Sequence, residues 1–319
     1  MIEIKGLRKS FHTKHRRKTT TVDAVRGIDL DVADGEIFGF LGPNGAGKTT
    51  TLRMLATLLS PDDGEATIAG VNLRTDPAEV RKRVGYVSQT GGTWEDVSAR
   101  EELVLQARMY GISRSEAEQR AAAALEAFDL TEYADRKIKT YSGGQRRRVD
   151  VALGVIHGPK VVFLDEPTAG LDPQSRARMW DEVRRLRADG MTVFLTTHYL
   201  DEADALCDRI AIIDHGEIVA EGTPADLKRE ISGDVVTVGV NTSAAKAAEV
   251  LEGQPYIRAV EVPEDEDAVR AYVDAGETAI PQIMRTLEAS GIELGTIELR
   301  RPSLDDVFLT KTGRSLRES

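Results

Sequence analysis

The stretch GPNGAGKT, Gly42 to Thr49, sets a glycine, four intervening residues, a second glycine, a lysine and a threonine in order. That pattern suits a phosphate. Glycines let backbone N–H groups wrap an anion, and a following helix points its positive end at it. Lys48 is spaced to reach the outer phosphates of a nucleotide, and Thr49 to offer a hydroxyl to Mg²⁺. Asn44, Gly45, Gly47 and Thr50 belong to the same turn. A chance glycine turn could carry the same letters. Here, however, the apolar run EIFGFL precedes it, and Leu52, Leu55, Leu58 and Leu59 follow at helical spacing.

A second constellation is VVFLDEP, two acids at the end of an apolar strand, where ligand sites of α/β sheets lie. Adjacent strand residues face opposite ways unless the strand is ending. Asp165 is therefore read as the Mg²⁺ partner and Glu166 as the general base for water. Without the phosphate turn, both would pass for capping acids on a solvated strand end.

A third is YSGGQRRRVDVALGVI. Val149, Ala152, Leu153 and Ile156 recur at helical spacing, so a helix starts at or just after Ser142, with Ser142 and Gln145 as a capping box. That leaves Gly143 and Gly144 unexplained, since each costs about 0.8–1 kcal/mol in a helix relative to alanine. Arg146, Arg147 and Arg148 are also disfavoured near the positive end of a helix. A bound anion would answer both points, making this a second phosphate cradle.

The elements that must position these groups follow from periodicity. KVVFLDE and MTVFLTTH read as buried parallel strands, and residues 98–156 hold helical signals without a convincing strand. A boundary is expected near Ala225, dividing the chain into residues 1–225 and 226–319. The second part carries -7 of the net charge of -11. Its predicted order is βαββαβ, that of a ferredoxin-like domain, with Ile280, Ile283, Met284 and Leu287 on one helical face.

Composition narrows the function. The net charge of -11 argues against broad nucleic-acid binding. The one basic run, at residues 12–18, reads as a solvated surface loop. Cys207 is the only cysteine, so an intramolecular disulfide or a multi-thiolate zinc site is excluded and a reducing compartment is expected. The opening MIEIKG reads as no apolar signal segment. No run of roughly 18 apolar residues occurs, so any membrane work is expected to involve another chain.

YSGGQ, taken with the turn at Gly42 and VVFLDEPTAGLD, resembles the signature of ATP-binding cassette proteins over residues 1–224, with Tyr141 where the usual form has leucine. The resemblance implies an α/β P-loop NTPase cassette with a helical subdomain and an antiparallel β subdomain, followed here by the small α+β domain. It also implies ATP and Mg²⁺ as ligands, and two cassettes paired head to tail. Ser142, Gly143, Gly144 and Gln145 of one chain would then close over the ATP on the other's P-loop. Gln89 resembles the residue that senses Mg²⁺ and the attacking water and links to the membrane partner. Asp172 resembles the loop residue that couples paired sites, and His198 the switch histidine that contacts the γ-phosphate. Without the family, these three read as a polar strand end, a turn and a loop or core histidine. Phe11 is the candidate adenine stack, with His12 or His15 as replacements because the chain lengthens directly after it.

Further wordings, GLDPQSRARMWDEVRRL, TTHYLDEADALCDRIAIIDHGEIVAEGTP and RRPSLDDVFLTKTG, are similar to the ATP-binding subunits of daunorubicin-resistance-type exporters. The implied machine is two cassettes, expected as a homodimer, on the cytoplasmic face of a separate membrane-spanning permease. It would export a drug-like or lipid-like cargo. A soluble non-transport cassette ATPase and an importer subunit stand as alternatives. The accessory domain is expected to support the dimer or regulate it.

Overall fold

A computed structural model describes residues 1–15, 18–231, 233–240, 244–263 and 268–312. The chain divides into two compact units, Met1–Thr223 and a second beginning at Pro224. In the first, a six-stranded sheet runs in the order Glu217–Gly222, Arg209–Asp214, Ile37–Leu41, Thr192–Thr197, Val161–Asp165, Val84–Val87. All neighbours are parallel except the first pair. Strands Ile37–Leu41, Val161–Asp165 and Thr192–Thr197 are buried along their whole length, which is why they read as continuous apolar runs. The ring of Phe194 packs on those of Phe38, Phe40 and Phe163 at centroid distances of 5.4, 5.7 and 5.8 Å. Because these strands run parallel, their C-terminal ends share one edge. Gly42, Glu166, His198 and Ser88 directly follow the ends of four of them.

A separate antiparallel sheet has the order Lys18–Val32, Ile2–His15, Asp63–Ile68, Val71–Asn72. It corrects the loop expected after Phe11. Pairing continues through His12↔Thr21 to His15↔Lys18, so the described part of the basic run, residues 12–15 and 18, is paired strand. Arg16 and Arg17 lie outside the described residues, as do the side chains of residues 13–20. β-Branched threonines at 19, 20 and 21 favour that pairing. The helix Lys48–Leu55 also ends sooner than the leucine spacing suggests. Thr57 adopts φ 61°, and Leu58 turns outward.

Residues 98–156 form the helices Ala99–Met109, Arg114–Ala127 and Gly143–Val155 with two short 3-10 turns. The one β contact among the described residues there is an isolated bridge, Ser98↔Lys137. Helical insertion is thus observed.

In the second unit, strands Asp234–Val240, Ala259–Glu261, Ala268–Val273 and Leu294–Arg300 form an antiparallel sheet. Numbered along the chain within that unit, the strand order is 2-3-1-4. With helices Ala244–Leu251 and Gly276–Ala289 between strands one and two and between three and four, this is the ferredoxin-like arrangement. Val236, Val238 and Val240 alternate onto the core face, where Ala279, Ile283 and Leu287 meet them. Met284 departs from the expected helical face and is exposed, because Ala279, Ile283 and Leu287, four residues apart, form the buried stripe. Helices Pro224–Ile231 and Leu304–Thr312 bracket the unit and were not foreseen from the sequence.

Candidate active site

The turn after strand Ile37–Leu41 is shaped by its glycines. Gly47, the N-cap of helix Lys48–Leu55, has φ 109°, and a Cβ there would stand 2.4 Å from the Ala24 carbonyl oxygen. Only glycine fits such a backbone and such an approach. Asn44 and Gly45 form the exposed rim, while Thr49 and Thr50 are half-buried. The helix has no side-chain cap bond and no acid in its first turn, so its positive end is open to an anion.

Lys48 Nζ donates to the carbonyl oxygens of Gly42 (2.6 Å) and Pro43 (3.1 Å) and lies 3.4 Å from Glu166 Oε1. Burial pushes its pKa down, against the opposing pull of Glu166 and Asp165. Thr49 Oγ1 donates to Asp165 Oδ1 at 3.0 Å, and Thr196 Oγ1 donates to the same oxygen at 2.7 Å. Asp165 and Thr49 thus present a carboxylate and a hydroxyl side by side, hard oxygen donors of the kind Mg²⁺ takes together with phosphate oxygens and water. Among the described residues, no group of three or more His, Cys, Asp or Glu gathers to hold a metal, so this site offers one carboxylate and one hydroxyl.

Glu166 sits one residue past its strand at φ 45°, a left-handed conformation that costs a non-glycine residue about 1–3 kcal/mol. Its N–H is held by Thr196, through the carbonyl at 3.2 Å and the hydroxyl at 3.0 Å. The kink separates its side-chain bonds from those of Asp165. Gln89 Nε2 donates to Glu166 Oε2 at 2.9 Å, and His198 Nδ1 lies 3.2 Å from that oxygen without hydrogen-bond alignment. Burial raises the Glu166 carboxyl pKa, but His198 and Lys48 outweigh it and hold the group below its ordinary value. The carboxylate is therefore held in its ionised form, able to accept hydrogen bonds, and the buried, unmatched His198 Nδ1 suits a phosphate oxygen. The lysine, the open helix end, the oxygen pair and this histidine together fit a magnesium nucleotide.

The second cradle is partly as expected. The capping box forms, with Ser142 N donating to Gln145 Oε1 (2.9 Å) and Gln145 N to Ser142 Oγ (3.2 Å). Tyr141, in place of leucine, is buried with its hydroxyl donating to the Tyr133 carbonyl. The arginines correct the anion argument, because they turn to the protein's own carbonyls. Arg146 reaches Lys139, Arg147 reaches Pro167, and Arg148 reaches Phe128. The glycines differ as well. A Cβ on Gly144 would meet Ser175 Oγ at 2.6 Å, so that residue is needed for internal packing, whereas Gly143 faces open space. Asp172 caps helix Pro173–Ala188, accepting from Ser175 N and Oγ at 2.9 and 2.6 Å. Phe11 is 41% exposed on its strand, with Lys9 Nζ 5.9 Å from its ring centre. His12 is engaged with Thr21 Oγ1, and the His15 side chain lies outside the described residues.

Sequence reasoning missed the supports. The segment after Gln89 is pinned by two acids. Asp150 accepts from Gly92 N at 3.0 Å, and both Glu102 oxygens accept from Trp94 N, at 3.1 and 3.3 Å. Behind His198, the fully buried Glu202 accepts from Thr168 Oγ1 (2.8 Å) and Trp180 Nε1 (3.2 Å). The available signal was an acid at a helical core position, as with Glu202 in the YLDEADAL run.

The family description "ABC transporter" matches residues 25–169, and "ATP-binding protein DrrA1-3-like, C-terminal domain" matches residues 222–312. Daunorubicin resistance ATP-binding protein DrrA2 of Streptomyces coeruleorubidus is 46% identical over 296 residues, 91% of this chain and 90% of that protein. Linearmycin resistance ATP-binding protein LnrL of Bacillus subtilis (strain 168) is 36% identical over the full length of both. The dimeric post-hydrolysis structure of the ATP-binding cassette MJ0796, bound to ADP and Pi, covers 70% of this chain and 98% of its own. Its TM-score is 0.63 at 27% identity. This chain belongs to the ATP-binding, ATP-hydrolysing proteins of ABC transporters of the daunorubicin-resistance type.

Proposed function

We propose that this chain works as one of two identical subunits and closes over two molecules of Mg²⁺–ATP. In this reading it drives export of a drug-like or lipid-like compound through a separate membrane-spanning permease, from the cytoplasmic face. The observation that carries the reading is the junction of Glu166 with Lys48, Gln89 and His198 at the mouth of the P-loop.

Glu166 accepts a proton from water as that water attacks the γ-phosphate, with Gln89 orienting the carboxylate. Lys48 and His198 place positive charge and a donor where negative charge develops. Phe11 stacks on the adenine. Thr49 and Asp165 would hold Mg²⁺, which would supply positive charge to the phosphates of the nucleotide. The partner's nucleotide meets Ser142, the open backbone at Gly143, and Gln145, while Asp172 stands at the seam between the two chains.

No helix among the described residues is long and apolar enough to cross a membrane, so the pathway is assigned to another chain. Beside Gln89 runs a groove of about 530 Å³ bordered by Leu58, Trp94, Leu105, Met109 and Tyr110. All five are exposed. Such an apolar patch marks an interaction surface, and it is assigned to the permease. The second unit is assigned to dimer support or regulation.

Purified Glu166→Gln chain should bind ATP, lose about 10²–10⁴-fold in turnover, and double its molar mass by light scattering only when ATP is present. Adding Ser142→Arg should abolish the doubling. Wild-type turnover in Glu166→Gln would remove the base assignment. ATP-saturated monomer would show that closure of the pair requires the permease.

A further inference from the structure

Arg147 lies one turn into the signature helix, is 7% exposed, and points into the protein. Its guanidinium spreads over two separate backbone segments. On one side Nη1 donates to the Ser88 carbonyl at 2.5 Å, the peptide that leads into Gln89. On the other, Nε donates to the Pro167 carbonyl at 2.8 Å and Nη2 to those of Asp165 at 3.0 Å and Glu166 at 3.4 Å. These last three carbonyls surround the left-handed residue that carries the catalytic carboxylate.

Thr196 holds the N–H side of Glu166 and Arg147 the carbonyl side, so the strained turn is fixed from both directions. The Gln89–Glu166 side-chain bond then spans two segments whose spacing one guanidinium sets. Asp150, one turn further along the same helix, holds Gly92, so the helix grips both ends of the segment containing Gln89. A planar fork of five N–H donors can serve two segments at once, whereas an ammonium acts from a single point.

We propose that Arg147 is a positioning residue of the hydrolytic site, setting Glu166 and Gln89 relative to each other through their backbones. This rests on the reading of Glu166 as the base. The test measures turnover, affinity for a fluorescent ATP analogue and thermal stability of the full chain carrying Arg147→Gln, Arg147→Lys, Gln89→Ala, and Arg147→Gln with Gln89→Ala. In Arg147→Gln, kcat is expected to fall about 10–100-fold, as a displacement of about 1 Å can cause, with KM and analogue affinity within about threefold.

Arg147→Lys should keep the melting temperature near wild type yet stay below about a tenth of its kcat, and it serves as the measurement if the glutamine variant does not fold. The double variant should lose no more than its worse single variant, because both changes act on one geometry. Turnover within about twofold of wild type in folded Arg147→Gln, full rescue by lysine, or multiplicative losses would each overturn the proposal. Glu166→Gln in the same series separates the failures. If it is inactive beside an active Arg147→Gln, only this inference falls; if it turns over like wild type, the base assignment falls too.

Discussion

Glu166 and Glu102 are both buried in the first unit, at 5% and 9% exposure, yet their surroundings push them in opposite directions. At Glu166 the burial penalty is outweighed by His198 and Lys48, and the carboxyl stays below its usual range. At Glu102 burial dominates, the Trp94 N–H opposes it, the Asp150 charge adds to it, and the pKa is pushed up to about 7. Burial alone therefore does not decide the charge of a carboxylate. The donors and charges brought to it by other segments do. The first site holds a carboxylate kept in its charged form, and the groove has an acid near its titration point.

Removing the cation should make the first carboxylate resemble the second. A carboxyl whose pKa is depressed on folding contributes stability that is present above its unfolded value of 4.5 and lost as pH falls through the folded value. Lys48→Met relieves the burial cost of the lysine but leaves Glu166 without its cation, so the net destabilisation at pH 8, at most about 3–5 kcal/mol, should be smaller at pH 4. Urea denaturation at the two pH values measures this. An equal loss at both would break the comparison.

For Glu102 the sign reverses. Its folded pKa is raised, so its cost is absent below about 4.5, grows as pH rises, and is complete above about 7. Glu102→Gln keeps an acceptor for Trp94 N and should gain about 1–3 kcal/mol at pH 8, with little change near pH 4.5. A gain that does not vary with pH would mean that packing, rather than charge, sets the difference.

Asp150 is the intermediate case. Burial raises its pKa, while the Gly92 N–H and the nearby Arg147 charge pull it back. Asp150→Asn should gain stability at pH 8 with the same sign as Glu102→Gln and a smaller size, read in the same denaturation series. A larger gain would mean that Arg147 gives it no support.

The parts of the site legible in the sequence were those whose chemistry is carried by neighbours in the chain. The P-loop needs its glycines, lysine and threonine within one turn and one helix start. The capping box needs Ser142 and Gln145 three residues apart, and both formed. The βαββαβ order of the second unit was readable for the same reason, since periods of two and 3.6 are local. The three arginines misled because composition shows charge but not direction. Arg147 finds its carbonyls 18 to 59 residues away. The strand pairing after Phe11 was hidden because its basic and polar residues resemble a loop until a partner strand pairs them.

The sequence by itself determined that a phosphate cradle, two strand-end acids and a capped glycine helix exist, because each depends on residues within hydrogen-bonding or helical reach of one another. Only the tertiary structure decided how they meet. Parallel strands bring Gly42, Glu166, His198 and Ser88 to one edge, and the left-handed turn at Glu166 separates its carboxylate from that of Asp165. Charge states followed from that assembly: Lys48 reaches Glu166 across more than a hundred residues of chain, and among the described residues no comparable cation reaches Glu102. Long-range packing supplies the neighbours that set a buried group's pKa, and such neighbours have no signature in local spacing.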